Sequence, residues 1–304
     1  MMVSLYSPTV KSPLMYASLW IGIMLSTQSG CSMFKKDGST TEIAAEVRKP
    51  LPTQAGQPVD PRPNPMAARM NQPSTMPKVP PAGARLSYSS IQTDKPVLAI
   101  TFDDGPHPVN TPKLLEILRQ RNIKATFFLV GQNVKQYPDL VRRILAEGHE
   151  IGNHTWTHAS LSSLSDDAVR KELKRSDDAL FEIAGYRPHL MRPPYGAINT
   201  RLKNLIYSEF GYPCIMWSVD PQDWRRPGVS VVVNRLVSGA RPGAILLTHD
   251  IHAPTIVAVP QALDQLLAKG YQFVTVSQLM NIEKANMPLG VLIRPASVVG
   301  GAGS

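Results

Sequence analysis

The sequence predicts an α/β fold, a small or incomplete (β/α) barrel of about seven parallel strands. Between Val97 and Val276 short apolar runs alternate with amphipathic helical patterns. The links are only a few residues long, the spacing that makes neighbouring strands parallel and covers their sheet with helices. Ionisable residues gather where the apolar runs end, the edge on which such barrels carry their chemistry. Periodicity alone leaves an open doubly wound sheet as an alternative, because it repeats the same unit.

The predicted strands are Val97–Phe102, Ala125–Val130, His149–Gly152, His189–Arg192, Pro213–Val219, Ala244–Thr248 and Gln272–Val276. Helices fit between them. Thr111 offers an N-cap followed by Pro112, and Leu114, Leu115, Ile117 and Leu118 make one apolar face. Tyr137-Pro138 opens the next helix, with Leu140, Val141, Ile144 and Leu145 inward and Gly148 at its end. Ser165 caps a long helix through Leu173, Leu180 and Ile183 that Gly185 closes. Further helices are expected over Thr200–Phe210, Val229–Gly239 and Val257–Lys269.

The N-terminal third reads differently. Leu14 to Leu25 is mostly apolar but too short for a membrane-spanning helix of about 20 residues, and fits the hydrophobic region of a secretory signal. Ser29-Gly30-Cys31 then resembles the lipobox at which bacterial lipoproteins are cut and lipidated, although Gln28 stands where an aliphatic residue is usual. Ten prolines between Pro50 and Pro81, with few large apolar residues, exclude a packed core there and predict an extended tether. The expected organisation is a signal peptide over 1–30, a tether over 31–90, a folded domain over 91–283 and a loose tail over 284–304. The address is an exported lipoprotein of the cell envelope, in the outer membrane or periplasm, with the membrane reached through lipid on Cys31.

The 304 residues are 43% hydrophobic, which excludes a wholly disordered chain. A formal net charge of +9 invites a nucleic-acid reading, but residues 1–90 supply +5 of it and the body is close to balanced. No nucleic acid is expected as a partner. Cys214 stands alone in an apolar run and reads as a buried thiol.

His154 and His158 stand four residues apart, close enough on a turn to reach one ion. A carboxylate joining two imidazoles leaves an open coordination position, the arrangement of catalytic zinc. Asp103-Asp104 ends the first long strand, and two adjacent carboxylates there repel unless a cation or a division of roles separates them. Asp104 is therefore assigned to the metal and Asp103 to proton transfer.

Five segments carry a family resemblance: Thr101-Phe102-Asp103-Asp104-Gly105-Pro106, His154-Thr155-Trp156-Thr157-His158, Arg192-Pro193-Pro194-Tyr195-Gly196, Asp220-Pro221-Gln222-Asp223-Trp224 and Leu247-Thr248-His249. In order, they resemble the five motifs of the NodB-homology polysaccharide deacetylases, carbohydrate esterase family four. The resemblance implies a distorted (β/α) barrel with a divalent metal, zinc or alternatively cobalt, that removes acetyl groups from N-acetylglucosamine in glycans. It also implies roles: Asp103 as base, Arg192 positioning it, and Asp104, His154 and His158 as metal ligands. By the same resemblance the Tyr195 N–H serves the oxyanion, Trp224 and Leu247 line the acetyl pocket, and Asp223 orients the general acid His249. His107, His189 and His252 match no motif role. The expected partner is an acetylated glycan polymer or oligomer such as peptidoglycan. An O-acetyl esterase on xylan-like glycans and an inactive glycan-binding lipoprotein are the alternative readings.

Overall fold

The computed structural model describes residues 83–286, so the signal segment, Cys31 and nearly all of the proline-rich stretch lie outside the described residues. Strands are β1 Ser87–Tyr88, β2 Val97–Asp103, β3 Thr126–Leu129, β4 Glu150–Asn153, β5 Cys214–Ile215, β6 Ile245–His249 and β7 Gln272–Phe273. Helices are α1 Asn110–Gln120, α2 Gly131–Gln136, α3 Pro138–Ala146, α4 Asp166–Ala184, α5 Thr200–Phe210, α6 Val229–Gly239, α7 Ala253–Ala268 and α8 Val276–Asn286. Among the described residues no helix is long and apolar enough to cross a membrane.

All strand pairings are parallel. The main sheet runs β4-β3-β2-β6, with β7 on the first two residues of β2, and β1 pairs separately with β5. Between β4 and β5 the connection narrows to single bridges through Met191, and a bridge from Val219 to Leu246 ties the end of the β5 segment to β6. The strands surround a common interior without closing a regular barrel, which is the distorted, incomplete form expected.

Period-two alternation decides what that interior contains. On β2, Leu98, Ile100 and Phe102 face outward into a core shared with Leu114 and Leu118 of α1 and Leu263 of α7. Val97 and Ala99 face inward with Ile215, Ile245 and Leu190. Continuing the inward parity brings Thr101 and Asp103 to the interior from β2, and Leu247 and His249 from β6. Buried on both faces, β2 has no exposed residue, as a central parallel strand requires.

The helix ends follow local chemistry. The Ser165 side chain accepts from the Ala168 N–H at the start of α4, and Gly185 takes a left-handed conformation at its end. Asn199 caps α5 in the same way, and Pro138 stands in the first turn of α3. Five expectations are corrected. Thr111 is not an N-cap; α1 starts one residue earlier, and the Thr111 hydroxyl binds buried Asp250 while accepting from the His107 N–H. His189–Arg192 is no strand beyond the bridges at Met191, where the pairing with β4 and β5 is confined to that one residue. Gln272–Val276 shortens to two residues, since Val276 opens α8. Ser87–Tyr88 lies within the stretch read as tether yet forms β1, and α8 runs to Asn286, past the expected start of the tail.

Phe102 is fully buried, its ring 5.2 Å from that of Phe127. Phe102→Ala should destabilise the fold by about 3–5 kcal/mol, against about 1 kcal/mol for Ser165→Ala. Urea unfolding of both variants checks the order.

Candidate active site

At the C-terminal end of β2 the chain turns sharply, with Asp104 at φ 73°. The turn sends the two neighbouring carboxylates to different partners. Asp103 is buried, and its Oδ1 accepts from Arg192 Nη1 at 2.7 Å. Asp104 Oδ1 lies 3.3 Å from His154 Nε2 and 3.1 Å from His158 Nε2.

The ligand atoms of Asp104, His154 and His158 all lie within 4.8 Å of one another. His154 Nδ1 is 2.7 Å from the Arg192 carbonyl, so it carries the proton and Nε2 turns a lone pair toward Asp104. Asp104 Oδ1 is buried without a hydrogen-bond donor. A buried carboxylate oxygen with no donor, an imidazole lone pair turned toward it and His158 Nε2 beside them fit a divalent cation, so the metal that the resemblance implies suits these three residues.

Arg192 is fully buried. Its Nη1 also donates to Thr101 Oγ1 at 2.7 Å, Nε to the Ile215 carbonyl and Nη2 to the Met216 carbonyl, while the guanidinium lies over the Phe128 ring. Tyr195 follows in a tight turn at φ 60°, its ring exposed and packed edge-on against His158. Its N–H has no hydrogen-bond partner among the described residues.

From β6, His249 joins the loop after β5. Its Nδ1 lies 2.8 Å from Asp223 Oδ1, and its backbone N–H donates to Asp223 Oδ2, which also accepts from Thr255. Burial would lower the imidazole pKa, yet the bond to Asp223 and the surrounding carboxylates raise it to about 9.

These groups open on one cavity of about 460 Å³. Asp103, Asp104, His154, His158, Tyr195, Trp224, Leu247 and His249 all line it, whereas Arg192 and Asp223 stand behind the wall. Trp217, Pro193 and Asp220 complete the lining. Sequence reasoning missed Trp217, whose inward parity in the apolar run after Cys214 was the available signal. Cys31 falls outside the described residues. His107 serves structure instead, its Nδ1 accepting from the backbone N–H groups that open α1.

The polysaccharide deacetylase family description matches residues 90–215. A peptidoglycan-N-acetylglucosamine deacetylase of Bacillus cereus is 42% identical over 195 residues, 62% of this chain and 91% of the relative. The chain belongs to the polysaccharide deacetylase family. It is also 43% identical over 182 residues to the peptidoglycan-N-acetylglucosamine deacetylase PgdA of Listeria monocytogenes. That match covers 60% of this chain but only 38% of the relative's length. Among solved structures, the Bc1960 peptidoglycan N-acetylglucosamine deacetylase, bound to an N-hydroxybenzamide, superposes with a TM-score of 0.62 at 35% identity, over 65% of this chain and 94% of the other.

A pKa held above the ordinary 6.5 means that the His249–Asp223 pair stabilises the fold in full below about pH 6.5 and loses that contribution as pH rises through about 9. Following His249 by NMR should give titration near 9. Asp223→Asn, which removes the charge and leaves the burial, should bring it down to or below the ordinary histidine range.

Proposed function

We propose that this chain is an exported, metal-dependent hydrolase that removes the N-acetyl group from N-acetylglucosamine residues of peptidoglycan or a related glycan, releasing acetate. The observation that carries the reading is the meeting of two protonically opposite groups at one cavity. Asp103 is a buried carboxylate paired with Arg192, His249 an imidazole held charged by Asp223, and the Asp104-His154-His158 cluster shares their pocket. The relatives named above support the glycan and the amide.

In this reading Asp104, His154 and His158 hold a divalent ion, zinc or cobalt, which when bound acidifies water and polarises a carbonyl. Asp103 accepts the proton of the attacking water. Arg192 pairs with that carboxylate and, through the bond to Thr101, fixes its direction. As the new C–O bond forms, the carbonyl π pair moves onto oxygen, where the unpartnered Tyr195 N–H donates to it. An amine leaves poorly without a proton, and His249 supplies one to the nitrogen as the C–N bond breaks. The products are acetate and a free amino sugar. In this reading Trp224 and Leu247 flank the acetyl methyl.

Export with lipid on Cys31 belongs to the same proposal. It is supported by the apolar run from Leu14 to Leu25, by Gly30-Cys31, and by a substrate class that lies outside the cytoplasmic membrane. Two acyl chains anchor stably where one is marginal.

The adjacent carboxylates should fail differently. Asp103→Asn should keep zinc and lose on the order of a hundredfold or more in rate, while Asp104→Ala should lose zinc itself. Acetate release from N-acetylglucosamine oligomers, with metal analysis of each variant, decides; equal zinc retention reverses or removes the assigned roles. Exhaustive chelation should abolish wild-type activity and zinc or cobalt restore it.

Cys31→Ser should move the protein out of the membrane fraction with the activity of the detergent-solubilised enzyme unchanged. A wild-type protein that is soluble after export, with its mature N-terminus elsewhere, overturns the anchor.

A further inference from the structure

The loop from Asn153 to His158 puts Thr155 and His158 at φ 64° and 60°. For a β-branched threonine this region costs on the order of 1–3 kcal/mol, so the surroundings must impose it. They do so through hydrogen bonds on both sides of the loop. His154 N–H donates to the Leu129 carbonyl, and the first turn of α2 donates from Gly131 and Gln132 to the carbonyls of Thr155 and Trp156.

The opposite side of the loop is held by α4. Glu172 Oε2 accepts from both the Trp156 and Thr157 N–H groups, at 2.9 and 2.8 Å, and Oε1 accepts from the Thr157 hydroxyl at 3.0 Å. One turn further, buried Asp177 accepts from Asn153 Nδ2 at 2.7 Å and from the Tyr212 hydroxyl. Asn153 Oδ1, so fixed, takes the Thr155 N–H at 2.7 Å. Neither carboxylate touches an imidazole. Glu172 holds the backbone between the imidazoles directly, and Asp177 acts on it through the Asn153 side chain.

We propose that Glu172 and Asp177 form a clasp on α4 that positions His154 and His158 for the metal, making Glu172 a positioning residue of the site although it lies outside the cavity. The inference rests on the metal reading above. Without Glu172 two adjacent N–H groups lose their acceptor, and the stretch linking the two histidines is free to leave its left-handed conformations. The imidazoles then converge less often, and metal affinity falls. Outer partners of metal ligands are worth on the order of 10- to 100-fold in affinity.

Three variants of the full chain separate hydrogen bonding from charge and from folding. Glu172→Gln keeps an acceptor for the two N–H groups and an amide for the Thr157 hydroxyl. Glu172→Asp keeps the charge but is one methylene short, and Glu172→Ala removes both. Zinc dissociation constants from chelator competition, visible spectra of the cobalt forms and melting of the metal-free proteins are the readouts. Glu172→Ala and Glu172→Asp should bind zinc on the order of 10- to 100-fold more weakly and shift the cobalt spectrum. Glu172→Gln should stay close to wild type, with metal-free melting alike in all three. Wild-type affinity in Glu172→Ala and Glu172→Asp, or Glu172→Gln as weak as they are, overturns the clasp while leaving the metal reading standing. A wild-type chain that takes up no zinc overturns both.

Discussion

A single buried guanidinium organises the site. Taking a charge from water costs several kcal/mol, and that cost is offset only when most of the donors are matched. Arg192 meets this with Asp103, the Thr101 hydroxyl and the carbonyls of Ile215 and Met216, four acceptors on β2 and the β5 segment. Its own carbonyl takes the proton of His154 Nδ1. One residue therefore sets the direction of the Asp103 carboxylate and the tautomer of a histidine in the metal cluster. Removing either member of the Arg192–Asp103 pair leaves an uncompensated buried charge, a loss of about 3–5 kcal/mol. Folding and chemistry thus share one constraint.

The second theme is backbone held where side chains rarely permit it. Asp104, Thr155, His158, Tyr195 and Gln222 all have positive φ, and all belong to the loops at the C-terminal strand ends. The sheet supplies rigid origins for these loops, and hydrogen bonds from neighbouring helices supply the restraint. Left-handed turns let short loops reverse direction and bring groups from β2, β4 and β6 to one mouth. Strain concentrated there, with a well-packed core beneath, is the pattern of a site whose geometry matters more than its local stability.

Most of the site was legible because its groups sit in short local motifs just beyond strands that short apolar runs already marked. Asp103, Asp104, His154, His158, Arg192, Asp223 and His249 could each be placed from their neighbours in sequence, and the helices Thr200–Phe210 and Val229–Gly239 match their expected bounds. What escaped depends on contacts distant in sequence. Glu172 and Asp177 stand in a charged helix where any acidic residue reads as solvated, and only the folded loop beside them gives them a partner. Thr111 carried a good capping signal, but Asp250, far along the chain, draws its hydroxyl away. The segment around Met191 is apolar like a strand, yet its pairing amounts to single bridges to β4 and β5.

The small strand β1 bears on where the folded unit begins. Leu86 and Tyr88 accept from the N–H groups of Cys214 and Met216, and the carbonyls of Ile215 and Met216 in that same segment hold the guanidinium. The family match starts only at residue 90. A protein trimmed to that boundary would strip two amides, one on fully buried Cys214, of their acceptors and loosen the shelf on which the arginine rests. Arg85, which bonds Glu283 of α8 and the Ser90 carbonyl, would be lost as well, and with it the fastening between the two ends of the folded unit. The domain as a physical object is longer at its front than the domain as a pattern of sequence.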